Sequence, residues 1–316
     1  MDMRTGFLVD ATCDLPDRFF SSGDVMVMPI AVRLGDHITT DQRNDEVTLG
    51  FLDSGIAAGA SEAETSALSV EQIRALFLER LVMEYDYVFC LTVTRGRSPI
   101  FEHATQASFS ILNEYRPMRE AAGKTSPFSL RVLDTGSLFA GQGIPVAAGV
   151  AMNATGDNPP VMRARIEHIA KNTHSYAIAP DLYYLRSRAR AKGDRSVGLV
   201  SAMLGSALDI KPILYCNQGN TRPVAKVRGF EAAVEKLFTD TANEVQRGIS
   251  VPMLTLSFGG PLEQLHAFPG YDNLVLACQN NGVELLESLM SLTGIINLGA
   301  GAVSLGFASE RKPLLS

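Results

Sequence analysis

The feature that most constrains this chain is a regular alternation of short apolar runs with stretches of helical periodicity. Phe7-Leu8-Val9, residues 87–93 and Arg131-Val132-Leu133 are too short for ordinary helices and read as buried strands. Ser69 followed by Gln72 forms a capping box, and Ile73, Leu76, Phe77 and Leu81 then mark one helical face. Residues 143–152 are a helix of small side chains, able to pack closely on a sheet. Strand-then-helix order through the first half predicts a mainly parallel sheet between helices.

The sharpest break is Gly156-Asp157-Asn158-Pro159-Pro160, where turn formers meet prolines that cannot continue a helix. It divides the chain into an N-terminal α/β domain, residues 1–157, and a C-terminal α/β domain, residues 158–316. Beyond the break, helices are expected over 161–171, 182–190, 230–245 and 282–292. Strands are expected over 175–179, 253–258, 274–278 and 295–298. Residues 212–216 and 223–228 flank Gln218-Gly219-Asn220 and read as a hairpin, so the second sheet should be mixed.

Composition excludes several classes of function. A net charge of -6 argues against nucleic acid, whose phosphates need a net basic face. No run approaches the roughly 18 apolar residues of a membrane span, and Phe7-Leu8-Val9 is too short for a signal peptide, so a cytoplasmic location is expected. Cys13, Cys90, Cys216 and Cys278 form no C-x-x-C pair or zinc spacing and read as reduced, buried thiols. Cys278 falls in one of the expected strands. The histidines show no metal-ligand spacing, so neither metal nor cofactor is expected.

Three motifs carry possible chemistry. Asp10 ends a strand, as a phosphotransfer nucleophile would, but Thr12 stands where a second carboxylate should act as acid or base. The ordinary alternative is a strand-end Asp accepting backbone N–H groups. Ser98 follows a strand, though no G-x-S-x-G surrounds it, and hydroxyls there usually cap helices. A small hydrolase or phosphatase using Asp10 or Ser98 is the enzymatic reading. Arg186, Arg188, Arg190, Lys192 and Arg195 form a cationic run, either a solvated face or a site for an anionic head group or acidic partner. Arg186 and Arg190 share a helical face and Arg188 does not. Gly299-Ala300-Gly301-Ala302 lacks the third glycine of a dinucleotide fingerprint.

Taken in order, the motifs resemble the DegV family of bacterial fatty-acid-binding proteins. The resemblance rests on Asp10-Ala11-Thr12-Cys13-Asp14-Leu15-Pro16, Val27-Met28-Pro29-Ile30, Asp41 and Thr65-Ser66. It continues through residues 94–100, Val132-Leu133-Asp134-Thr135, Gly141-Gln142-Gly143, residues 184–190, Ile210-Lys211-Pro212-Ile213-Leu214 and Val227-Arg228. It implies a fatty acid buried in a cleft between the two domains and a carrier, not an enzyme. Its carboxylate would be held by Thr65, Ser66 and Ser98, with Arg190 supplying charge and Asn297 nearby. Some members hand the ligand to a partner fatty-acid kinase. Here Ala11 replaces the family's Ser, Pro99 and Ile100 replace Gly-Thr, Arg188 and Ala189 replace two glycines, and Asn297 replaces a His. An Asn cannot shuttle a proton near neutral pH, so these changes favour binding over kinase-coupled phosphoryl transfer.

Overall fold

A computed structural model describes residues 3–54, 62–191 and 209–315. The first half runs β1 (Thr5–Asp10), α1 (Arg18–Ser21), β2 (Val25–Met28), β3 (Ile30–Leu34), β4 (His37–Asp41), α2 (Asp45–Asp53) and β5 (Glu64–Ser66). It continues with α3 (Val70–Leu76, extended by a π-helical turn over Phe77–Leu81), β6 (Tyr87–Thr92), α4 (Ile100–Ser110), α5 (Tyr115–Ala121), β7 (Ser129–Asp134) and α6 (Ala140–Ala154). Next come α7 (Pro159–Lys171), β8 (Thr173–Ile178), α8 (Leu182–Ala191), β9 (Ile210–Asn217), β10 (Asn220–Arg228) and α9 (Phe230–Arg247). The chain closes with β11 (Met253–Phe258), α10 (Leu262–His266), α11 (Tyr271–Asn280), β12 (Glu284–Leu289), α12 (Leu292–Leu298) and β13 (Val303–Ala308).

Two α/β domains result. In the first, β2, β1, β6 and β7 lie side by side, all parallel. Strand alternation gives this sheet two apolar faces. Leu8, Val88 and Cys90 pack against Ile73 and Phe77 of the α3 segment and Ile100 and Ala104 of α4. Phe7, Val9, Phe89 and Leu91 pack against Val146 and Ala147 of α6 and Met162 and Ile166 of α7. The capping box forms as expected, with the Ser69 hydroxyl accepting from the Gln72 N–H and the Gln72 side chain accepting from the Ser69 N–H. In the second domain the order is β10-β9-β8-β13-β11-β12, mixed because only β11 and β12 run parallel. A small antiparallel sheet, β4-β3-β5, was not anticipated from the sequence.

Three expected elements change type. Residues 274–278, expected as a strand, belong to α11, where Leu274, Ala277 and Cys278 are buried and Leu276 is 54% exposed. That is helical spacing, which a run of apolar residues conceals. Residues 282–292, expected as a helix, contain β12, because six consecutive residues pair in register with β11 and override the helix-forming Glu and Leu. Residues 295–298, expected as a strand, fall in α12. Its first turn is capped by Ser291, whose hydroxyl accepts from the Gly294 N–H, and burial all round erases its periodicity.

Helix α6 is the joint between the domains. One side meets the first sheet through Val146 and Ala147. Its start meets the second sheet so closely that a Cβ added at Gly306 would lie 2.6 Å from the Gly141 Cα. The neighbouring contacts are equally small: the Thr255 hydroxyl donates to the Ala140 carbonyl at 2.6 Å and the Ser175 hydroxyl to the Leu138 carbonyl at 3.1 Å. Gly306→Ala should therefore destabilise the protein by roughly 1–3 kcal/mol, because backbone cannot yield to the new methyl. Gly50→Ala, in a helix with open space around it, should stabilise by roughly 0.5–1 kcal/mol. Urea unfolding of the two variants measures the contrast, and equal effects would contradict the close approach.

Candidate functional site

The strand-end Asp10 is a structural hub. Its buried carboxylate accepts from the Val93 N–H at 2.6 Å, the Thr12 N–H at 3.1 Å, the Thr12 hydroxyl and the Gln142 amide at 3.1 Å. Burial raises its pKa, against the pull of these bonds. Both oxygens are thus engaged in fixing the loop after β1 to β6 and α6, which is the ordinary role of an Asp at a strand end.

Four residues further on, Asp14 crosses to the second domain. One carboxylate oxygen accepts from the Ser257 hydroxyl at 2.7 Å, the other from the Ser291 N–H at 2.9 Å and from Arg43 at 3.1 Å. The Arg43 guanidinium also donates to the Leu289 carbonyl at 2.9 Å and to the Leu15 carbonyl at 3.3 Å. Asp41 accepts from the Thr293 N–H at 2.7 Å and from the Arg43 N–H at 3.2 Å. This network fixes α12 against the loop after β1 and the end of β4.

Of the candidate residues, Thr65 and Asn297 stand near this seam. Thr65 on β5 is directly opposite Val32, and paired residues share a face of an antiparallel sheet. Val32 packs with Ala63 against Leu292 and Ile296 of α12, so Thr65 is turned toward the helix that carries Asn297. Ser66 lies on the other face, exposed. Ser98 is half-buried just before α4, its hydroxyl accepting from the Ile100 N–H at 3.3 Å. Asn297 is half-buried, and its amide donates to the Thr293 carbonyl at 2.7 Å.

The cationic run divides by helix face. Arg190 is exposed, Arg186 is half-buried, and Lys192 and Arg195 lie outside the described residues. Arg188 is the inward member, 2% exposed. Its guanidinium donates to the Ala63 carbonyl and, at 3.3 Å, to the Asn297 side-chain oxygen. Burial pulls its pKa below the ordinary value, opposed by the nearby Tyr184. The Tyr184 hydroxyl donates to the Ile296 carbonyl at 2.7 Å, docking α8 on α12. The Asp14–Arg43 pair was not among the candidates drawn from sequence, and Arg188 entered there only as one member of the cationic run. Helical phase separated Arg188 from Arg186 and Arg190 but could not tell which face was buried.

Both hydroxyl turns stand at one end of the same apolar layer. Ala67 and Leu68 follow β5, Ile100 opens α4, and all three pack with Ile73, Phe77, Val93 and Ala104. The His103 ring, donating through Nδ1 to the Leu68 carbonyl at 2.7 Å, ties the two turns together. Leu138 touches this layer and also the cluster of Phe139, Ile295 and Leu298, so apolar contact runs from the layer to the seam.

A family model described as "Uncharacterised protein, DegV family" matches residues 4–310. The chain belongs to the DegV family. A DegV domain-containing protein of Xanthomonas campestris pv. campestris is 54% identical over 308 residues, covering 98% of each chain. A fatty acid-binding protein of Thermotoga maritima is 29% identical over 315 residues, again 98% of each. Among solved structures, a stearic acid-binding protein from Eubacterium ventriosum aligns with a TM-score of 0.75 at 17% identity, over 97% of this chain and 98% of that one. At that identity the likeness shows a shared fold. Among the described residues of this DegV chain, no group of His, Cys, Asp and Glu could hold a metal ion, and no helix is long and apolar enough to cross a membrane.

The seam has a pH signature. Burial pushes the Asp14 carboxyl up from 3.8 to about 6, outweighing Arg43 and the bonds from Ser257 and Ser291. Between those values the folded DegV protein holds a proton that the unfolded chain has released, so unfolding free energy falls as pH rises through this window. Asp14→Asn removes this dependence. Wild type should therefore lose stability relative to Asp14→Asn across pH ~4–6, by up to roughly 3 kcal/mol. Urea unfolding at several pH values tests this; a constant gap between the two proteins would refute it.

Proposed function

We propose that this protein binds a long-chain fatty acid and acts as a carrier, not as an enzyme. The carboxylate lies at the seam, held by the hydroxyls of Thr65 and Ser98, with Ser66 and Asn297 at its margin and positive charge from α8. The acyl tail lies in the apolar layer between the first sheet and helices α3 and α4. The observation that carries this reading is that both hydroxyl turns stand at one end of that layer. The fatty-acid-binding relative and the stearic acid-binding structure support it. The engagement of both Asp10 oxygens in structural hydrogen bonds supports a carrier over a hydrolase or phosphatase that would use Asp10.

The energetics suit a binder. Burying ~14 methylenes contributes up to roughly 11 kcal/mol at ~0.8 each, before ordering costs. Hydrogen bonds to a charged head group add roughly 1.5–3 kcal/mol apiece. The tail therefore supplies most of the affinity and the hydroxyls fix orientation. Delivery to a partner fatty-acid kinase in the cytoplasm is compatible with this arrangement. With Asn297 standing where the family pattern has a His, that position offers no proton shuttle, so phosphorylation by such a partner should be slow.

Denatured, solvent-extracted protein should release a fatty acid detectable by mass spectrometry. Absence of acyl ligand from both native and lipid-refolded samples would overturn the reading. Thr65→Ala combined with Ser98→Ala should weaken affinity by a few kcal/mol at most, because the tail contribution remains. Titration with a fluorescent fatty acid measures this, and unchanged affinity would remove both hydroxyls from the site.

A further inference from the structure

We infer that the outer face of the second domain, built by α9 and α11, docks a second copy of this chain in antiparallel orientation about a two-fold axis. The face lies on the far side of the second sheet from the seam, so the inference stands independently of the ligand reading above.

The sheet sets the shape of this face. Strands β10, β11 and β12 point the same way, so the crossover helices α9 and α11 both run back in the opposite direction and lie parallel. Gly270, at the head of α11, packs on α9: a Cβ there would lie 3.4 Å from the Glu235 carbonyl oxygen. Between the helices runs an open groove of about 480 Å³, room for several side chains. Asn243 and Gln246 line it from α9, and Asn273 and Asn280 from α11, at spacings that keep each pair on one helical face.

Three observations point to a second copy as the occupant. The first is neutrality. None of the residues lining the groove is charged, although one residue in five of the chain is. The centre of a protein interface is depleted in charge in the same way. Each carboxamide offers both donor and acceptor, so it can pair with its own copy across a two-fold axis. The second is self-complementary shape. Leu276 is 54% exposed on α11, and Ala242 and Ala277 beside it leave a hollow in the groove. The Leu276 of one copy is a knob for the hollow of the other.

The third is charge polarity. Glu235 and Asp272 stand exposed at the end where α11 begins. Arg247 stands exposed in the last turn of α9, and Arg311 donates to the Arg247 and Gly248 carbonyls at that same end. Antiparallel docking sets the acidic end of one copy against the basic end of the other and opposes the helix macrodipoles, whereas parallel docking sets like against like. Glu235 and Arg247 are about 18 Å apart along α9 at ~1.5 Å per residue, and their midpoint falls beside Ala242. The two-fold axis therefore passes over Ala242, Leu276 and Ala277, where knob and hollow meet. Helices about 27 and 15 Å long present roughly 500 Å² per copy, the size of a weak interface, so the dimer depends on concentration.

Sedimentation velocity of the full-length protein from low to high micromolar concentration tests this. Wild type should shift from monomer to dimer. Leu276→Asp, at an exposed position, should remain monomeric, and Asn243→Lys on the facing helix carries the same expectation should the first variant fail a thermal melt. Val161→Asp, at an exposed apolar position on α7, should dimerise as wild type does. Asp272→Lys and Arg247→Glu should each weaken dimerisation by ~10-fold, because each puts like charges together at both ends of the interface. An equimolar mixture of these two should dimerise as wild type does, because the mixed pair keeps one original contact and reverses the other. A wild type that is monomeric throughout would overturn the inference and leave the groove to a different occupant. A dimer that survives both Leu276→Asp and Asn243→Lys would place the contact on another face and overturn it as well. Failure of two folded charge variants to recover on mixing would overturn the antiparallel arrangement.

Discussion

The rest of the structure depends on one buried ion pair, Asp14 with Arg43. Both side chains are almost wholly removed from solvent, and each reaches across the domain seam, Asp14 to Ser257 and Ser291 and Arg43 to the Leu289 carbonyl. A buried pair is weak grounds for stability, because desolvation offsets the attraction, and the raised pKa of Asp14 shows burial prevailing here. Its role is geometric. The pair and the adjoining Asp41–Thr293 bond fix the start of α12 against the end of β4. Helix α12 carries Asn297 and the β4-β3-β5 sheet carries Thr65, so the same bonds set the separation between two candidate head-group residues. Arg43 adopts a left-handed backbone, φ 61°, unusual for a residue with a side chain, and its N–H donates to Asp41 there.

The two faces of the second sheet show how the sequence separates cohesion from docking. Outward, Tyr176, Ile178, Leu254, Leu256, Val303, Leu305 and Phe307 pack beneath α9 and α11 in a continuous apolar core. Inward, Ser288, Ser257 and Ser304 stand in register across β12, β11 and β13, followed two residues along by Thr255 and Gly306. Small polar side chains let backbone approach backbone at α6 and still offer hydroxyls to Asp14 and the Ala140 carbonyl. Bulky apolar residues on that face would hold the domains apart and deprive Asp14 of the Ser257 hydroxyl donor.

Much of this was legible in sequence because it is local. Strands β1, β6 and β7, the capping box at Ser69, the small-residue helix α6 and the hairpin at Gln218-Gly219 each declare themselves within a few residues. The errors fall between residues 274 and 298, where an apolar run conceals helical spacing in α11, pairing with β11 overrides helix formers in β12, and burial all round erases the periodicity of α12. The site divides the same way. Thr65, Ser66 and Ser98 were visible as hydroxyls at turns. The inward arginine was not, since its burial is decided by Ala63 and Asn297, 125 and 109 residues away. Arg43 likewise acquires meaning only beside Asp14, 29 residues earlier.

The division between seam and apolar layer matches what an acyl ligand requires. A carboxylate needs directional donors at fixed positions, and the seam consists of ion pairs and hydrogen bonds that lose much when displaced. A tail needs only apolar area, which is non-directional, so a layer proposed to receive it can part without breaking a specific bond. The helix lining that layer carries the π-helical turn Phe77–Leu81, with Phe77 and Leu81 buried within the layer. Such turns are rare and occur frequently at functional sites. On the carrier reading, rigidity is thus concentrated at the proposed head-group site, and the freedom to yield lies along the proposed path of the tail. Affinity from the tail and selectivity from the head group then rest on different residues, so a change in one can leave the other nearly intact.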